Sequence, residues 1–183
     1  MSCTETEFLL KDGRTALLRS PCEEDAADLL QFIRKACGET EFLLKYPEEY
    51  DAFTIEMERD FIRAVNDPQH GVMLTCLVDG KIAGNCQVMF RSGMKERHRA
   101  SVAVGLLKEY WNLGIGTKMF EEMIRIAKER EGVLQMELDF IEGNTRARAL
   151  YEKMGFRITG VKPDAVRLKD GRLVNAYMMV KKL

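Results

Sequence analysis

The sequence predicts an α/β (α+β) fold, a single domain over residues 1–183 in which helices sandwich a mixed sheet. Three observations carry that expectation. Hydrophobic spacing changes from a helical period to strand alternation after Pro68. Two Asp-Gly pairs, Asp12-Gly13 and Asp79-Gly80, mark tight hairpin turns. A strand, a loop and two glycines, Gly114 and Gly116, then stand directly before a helix.

Element by element, Phe8 to Leu10 and Thr15 to Arg19 read as a hairpin turned at Asp12-Gly13. A helix begins near Glu23 or Glu24, with acid at its positive end and apolar positions at Ala26, Leu29, Leu30 and Ile33; Gly38 is expected to end it. After an irregular stretch through Pro47 and Tyr50, a second helix is expected from Thr54 to Val65, packed through Ile55, Met57, Phe61 and Ile62. Strands follow over Val72 to Val78, Lys81 to Phe90 and His98 to Leu106. The last of these places His98, Ala100, Val102, Val104 and Leu106 on one face. A helix from Gly114 to Arg130 carries the stripe Ile115, Met119, Met123, Ile126 and Ala127. Val133 to Phe140 alternates, with Leu134, Met136, Leu138 and Phe140 facing one way. A short helix, Thr145 to Met154, should bury Ala147, Leu150, Tyr151 and Met154 before Gly155 caps it. Strands over Phe156 to Val161 and Leu173 to Val180 close the chain, joined by a loop containing Pro163 and Asp170-Gly171.

Composition excludes several classes. A formal net charge of -1 gives no global field for nucleic acid or an acidic membrane. The five cysteines, Cys3, Cys22, Cys37, Cys76 and Cys86, are widely spaced, and the two histidines, His70 and His98, stand far apart. No zinc-ligand pattern results, and reduced, mostly buried thiols are expected. Glu5 and Glu7 stand where a signal peptide would want positive charge, and no apolar run approaches membrane-spanning length, so a cytoplasmic protein with no membrane partner is expected.

The segment from Val102 to Thr117 is the most informative. A glycine turn before a helix exposes backbone N–H groups at the positive end of a dipole and lets phosphate approach closely. Thr117 adds a hydroxyl. Glycine turns also start helices that bind nothing, so the loop alone leaves both readings open. A Walker loop is disfavoured because Thr117 precedes Lys118, and a Rossmann fingerprint because Met119 stands where its third glycine belongs.

Two blocks read together point further. Trp111-Asn112-Leu113-Gly114-Ile115-Gly116 resembles the pyrophosphate loop of the GNAT acetyltransferase superfamily, Gln/Arg-x-x-Gly-x-Gly/Ala, with Trp111 in place of the usual Gln or Arg. Asn144 to Phe156 is similar to that family's Asn-x-x-Ala-x-x-Leu-Tyr-x-Lys-x-Gly-Phe signature and matches at every fixed position. The resemblance covers Val72 to Val161 well and the N-terminal third loosely.

The resemblance implies an acyl-CoA N-acyltransferase fold, with a mostly antiparallel sheet whose strands through Val104 and Leu138 splay apart to admit acetyl-CoA. It implies an acetyl-CoA-dependent N-acetyltransferase working by direct attack of a primary amine, a small molecule or peptide, with acetyl-CoA as co-substrate and no metal. The cofactor-binding residues it implies are Val102, Ala103, Val104, Trp111, Asn112, Leu113, Gly114, Ile115, Gly116, Thr117, Asn144, Ala147 and Tyr151. Within that set, the Val104 N–H would face the developing oxyanion. Tyr151 would be the general acid for the CoA thiolate, although its helical spacing also explains it as a core residue. Asn144 suits a helix N-cap and, by resemblance, a pantetheine contact. Arg146, Arg148 and Lys153 could reach phosphates or be solvated helix charges. For the base, His98 is one candidate, Glu137 and Asp139 are rivals, and a water relay would also serve. The acid-rich stretch from Glu39 to Asp60 is either a wall that selects cationic amines or a solvated charge run. Phe42, Tyr46 and Tyr50 would cap the acceptor pocket or belong to the core. A homodimer pairing through Leu173 to Val180 is implied by resemblance alone. The competing function is a catalytically silent acyl-CoA sensor, and a nucleotide switch is more distant.

Overall fold

The protein is seen in a computed structural model that describes residues 5–183. Cys3 lies outside the described residues. Among the described residues, eight strands form one sheet in the order β1-β2-β3-β4-β5-β6-β8-β7, antiparallel throughout except for β5 against β6. The strands are β1 (Thr6–Leu9), β2 (Thr15–Arg19), β3 (Gly71–Val78), β4 (Lys81–Phe90), β5 (Arg99–Leu106), β6 (Gln135–Ile141), β7 (Arg157–Arg167) and β8 (Leu173–Lys182). Among the same residues four α-helices flank them: α1 (Ala26–Glu39), α2 (Ile55–Val65), α3 (Ile115–Glu129) and α4 (Thr145–Lys153). The expected architecture is present, with the periodicity break falling between α2 and β3.

Local chemistry explains most of these elements. Asp79 and Gly80 both take positive φ, 50° and 74°, the conformation a two-residue turn needs to follow the twist of β3 and β4. Bidentate contacts of 2.7 and 2.8 Å from Arg19 to Asp25 tie β2 to the start of α1. On the other face of the sheet, α3 buries its predicted stripe, Ile115, Met119, Met123, Ile126 and Ala127, together with Phe120. Cys37, Cys76 and Cys86 are buried free thiols and Cys22 is exposed. No described helix is long and apolar enough to cross a membrane.

Three expectations need correction. Helix α1 passes through Gly38 and stops only at Glu39, where Thr40 turns extended, because a glycine can stay helical when nothing forces the chain out. Strand β7 runs through Pro163 to Arg167, well beyond Val161, with pairing irregular between Lys162 and Val166. It is an edge strand, where a missing N–H costs no ladder bond. Strand β8 therefore lies inside the sheet between β6 and β7, so Leu173–Val180 is not an edge, and the two edge strands among the described residues are β1 and β7.

The third correction concerns α2. Ile55, Met57 and Phe61 are 45–48% exposed, and the buried residues are Glu58, Ile62 and Val65. On a 100° wheel Glu58 falls between Ile62 and Val65, so the face that meets α1 carries a carboxyl group at its centre. Burial pushes the Glu58 carboxyl above its usual range. A raised carboxyl gives stability below the unfolded pKa and loses it as pH rises through the folded value. Glu58→Gln is therefore expected to stabilise the protein at pH 7 and to have little effect at pH 4. Thermal melts of both proteins at the two pH values check this; equal shifts at both would exclude a charge effect.

Candidate active site

The site is a gap in the sheet. Parallel pairing of β5 with β6 covers only Arg99, Ala100 and Ser101, against Gln135, Met136 and Glu137. Beyond Ser101, β5 stays paired with β4 through Leu106, while β6 continues along β8 through Ile141. The two strands part and leave one edge of β5 unpaired. The Arg99 carbonyl accepts from the Arg91 N–H on the β4 side, whereas the His98 carbonyl accepts from the N–H groups of Leu134 and Gln135. Alternation along an extended chain then turns the peptide groups of Val102 and Val104 toward the gap.

The same alternation sorts the side chains. A Cβ on Gly105 would meet Phe32 of α1 at 3.7 Å, so Arg99, Ser101 and Ala103 share the α1 face. Glu137 reaches Arg99 on that face and carries Asp139 with it. Val102, Val104 and Leu138 point the other way, toward α3 and α4.

The gap opens into a cavity of about 530 Å³ that runs from the loop after α1 to the N-terminus of α3. It brings together Val102, Ala103, Val104, Trp111, Asn112, Gly114, Ile115, Gly116, Thr117, Asn144, Ala147 and Tyr151. Two predicted residues stand apart. Leu113 packs on the core, and its carbonyl accepts from the Lys11 N–H at 3.1 Å, which pins the loop to the β1–β2 hairpin. His98 sits in the turn before β5 at the end where β5 and β6 are still paired. Six extended residues, about 20 Å, separate it from Val104.

At the glycine loop the chain takes two left-handed residues, Asn112 (φ 64°) and Gly114 (φ 99°), the second capping α3 without a side-chain bond. Lys118 donates the first helical bond, to the Gly114 carbonyl. Among the described residues the N–H groups of Ile115, Gly116 and Thr117 have no acceptor, as the first turn of a helix leaves them. A Cβ on Gly116 would lie 2.9 Å from Leu150 Cδ2, so α4 crosses directly over this turn. The donor set is positive and directional and suits an anion.

Asn144 caps α4 by accepting from the Ala147 N–H at 3.3 Å, and its amide N–H group remains available to the cavity. Tyr151 is 7% exposed and packs against Phe120, Phe140 and Phe156, with ring centroids 5.4, 6.1 and 6.4 Å away. Burial pushes its phenol up to about 12. Its hydroxyl has no hydrogen-bond partner among the described residues, yet no buried polar side-chain atom is left unpartnered, so that oxygen must open onto the cavity.

Of the carboxylates, Glu137 is committed to Arg91 and Arg99, at 3.2 and 2.7 Å. Asp139 lines the cavity, half exposed, with Lys162 as its ion-pair partner. Counted on from the Ser101–Glu137 pair, Asp139 and Ala103 hold corresponding positions on the two strands, which no longer pair there. The acid-rich stretch is largely answered from within: Glu48 pairs with Lys169, Asp51 with Arg34, and Glu56 and Asp60 with Arg63. Those pairs fit a solvated charge run. Phe42 lines the cavity, whereas Tyr46 accepts from the Lys169 N–H at 2.9 Å and Tyr50 packs against Phe53 with the rings tilted at 46°. Among the described residues no three His, Cys, Asp or Glu side chains gather as a metal site would require.

Comparison with known proteins agrees with this geometry. The chain is similar over its length to an acetyltransferase of the GNAT family from Streptococcus pneumoniae, at 27% identity and TM-score 0.86, covering 92% of this chain and 99% of that one. The ribosomal-protein-alanine N-acetyltransferase from Brucella melitensis shares the fold at 23% identity and TM-score 0.78, covering 91% and 99%. So does a GNAT superfamily phosphinothricin acetyltransferase from Sinorhizobium meliloti, solved in complex with acetyl-CoA, at 19% identity and TM-score 0.77, covering 92% and 88%. A sequence profile of the acetyltransferase (GNAT) family matches residues 39–156, which takes in the glycine loop, the parted strands and the helix of Tyr151, and the chain belongs to that family.

Proposed function

We propose that the protein transfers an acetyl group from acetyl-CoA to a primary amine by direct attack. One observation carries this reading: the Tyr151 hydroxyl, the unpaired edge of β5 and the free N–H groups of α3 open into a single cavity. The donor set fits acetyl-CoA, with the α3 amides at its phosphates, the β5 edge and Asn144 along the pantetheine arm, and Val104 at the carbonyl. Acetyl-CoA supplies an activated thioester carbonyl and a thiolate leaving group.

The chain's residues do the rest. The Val104 N–H donates to the carbonyl oxygen and stabilises the charge that gathers there. Asp139, on the α1 face, accepts the proton of the attacking amine as the N–C bond forms. Tyr151, on the α4 face, donates to sulfur as the C–S bond breaks. Proton acceptor and proton donor thus stand on opposite faces of the sheet, with the reacting carbon between them. Leu43, Leu44 and Phe42 border the side from which the amine arrives.

Thiol release from acetyl-CoA across polyamines, amino acids, short peptides and aminoglycosides tests the reading. A rate with one class is expected, together with a rise in Tm on adding acetyl-CoA. No release and no rise in Tm would overturn it.

A further inference from the structure

Position 111 carries an indole, which gives a phosphate no charge, and the structure places a guanidinium on it. Arg146 Cζ lies 4.1 Å from the centre of the Trp111 ring, within cation–π range. The ring itself is fixed, since its Nε1–H donates to the Leu106 carbonyl at 2.9 Å. Trp111 and Arg146 both line the cavity.

Helical spacing explains why Arg146 arrives there. Arg146, Leu150 and Lys153 recur at i, i+4 and i+7 along one stripe of α4. Leu150 covers Gly116, and Lys153 donates to the Thr117 hydroxyl at 3.3 Å. Arg146, a turn earlier, reaches the other side of the same loop. The free amides of α3 are therefore bracketed by two cations, Arg146 and Lys153.

Arg146 also differs from its neighbours in having no carboxylate. Arg148 pairs with Glu152 at 2.8 Å, and Arg125 with Glu122 and Glu129. Arg146 has no ion-pair partner among the described residues, and burial lowers its pKa with no anion to oppose the shift. A cation held on a fixed ring, unpaired, in a cavity lined by free amides is disposed to receive an anion.

Resting on the proposed use of acetyl-CoA, we propose that Arg146 is the side chain that binds the donor's diphosphate, and that Trp111 is a positioning residue holding its guanidinium over the α3 amides. The ligand class is a diphosphate-bearing acyl donor. An acyl thioester without phosphates gains nothing from this pair.

Steady-state kinetics with acetyl-CoA and with S-acetylpantetheine, which lacks the phosphates, separate the possibilities. The quantity read is the ratio of kcat/KM for the two donors. Arg146→Met is expected to lower that ratio at least tenfold, Arg146→Lys to recover part of it, and Trp111→Leu to lower it about threefold, with circular dichroism confirming that each variant is folded. A ratio within twofold of wild type in Arg146→Met would overturn the inference, and equal losses with both donors would do the same by pointing to a general packing defect. An unaltered ratio in Trp111→Leu would remove the positioning role. Failure of the wild-type protein to use either donor would instead sink the proposed function and this inference with it.

Discussion

Replacing Tyr151 by phenylalanine is expected to lower kcat by about 100-fold while the KM for acetyl-CoA stays within about threefold. The substitution removes one oxygen from a ring wedged among Phe120, Phe140 and Phe156, so the packing survives. That oxygen has no other employment among the described residues, so its loss leaves no protein group unpaired. What disappears is the donor to the leaving sulfur. Burial favours the neutral phenol, holding its pKa near 12 against an ordinary value of about 10. The donor is therefore intact through pH 10, and wild-type kcat should show no alkaline limb from this residue in that range. Stability follows the same sign: the neutral phenol contributes fully below about pH 10 and is lost as pH rises toward 12. Wild type should thus lose stability relative to Tyr151→Phe over that window. Stopped-flow thiol release and alkaline melts read the two effects separately. Equal kcat in both proteins would mean that the thiolate leaves without help from Tyr151.

How far the sequence announces all this depends on how local the cause is. The Asp79-Gly80 turn was legible because two adjacent residues fix its φ values. The glycine loop and the Asn144–Tyr151 helix were legible for a similar reason, each being a contiguous pattern whose spacing alone brings it to the cavity. The face of α2 was not, because what it buries is decided by α1, and apolar residues at 55, 57 and 61 drew the reading away from Glu58. The sequence pattern ends this strand at Val161, with Pro163 in the loop beyond it, because proline reads as a breaker until the strand is known to be an edge. Within the site, the point at which β5 and β6 part leaves no mark in either strand, so the sequence puts His98 ahead of its rivals Glu137 and Asp139 although it lies at the paired end. The pairing of Trp111 with Arg146 joins residues 35 positions apart through helix packing, and no local signal reports it.

Ranking those three candidates now yields a second large effect: Asp139→Asn should lower kcat/KM for the amine by about 100-fold. Position along the strands supports the ranking. Asp139 lines the cavity two residues beyond the last β5–β6 pair, and it is half exposed. Glu137 is two residues back where the strands are still paired, and two guanidinium groups already occupy both its oxygens. His98 is further still, beyond the start of β5. Asparagine keeps the size and polarity of the side chain but cannot accept the proton that the attacking amine loses as the N–C bond forms. Release of Lys162 from its ion pair is a side effect, and Lys162→Met isolates it: this variant keeps the carboxylate and should retain most of the activity. His98→Asn should stay within twofold of wild type. Rates for the three variants over pH 6 to 9, taken with a single amine, discriminate among the candidates. A large loss in His98→Asn with none in Asp139→Asn would place the proton path outside the gap, and the opposite-face arrangement of donor and acceptor would fall with it.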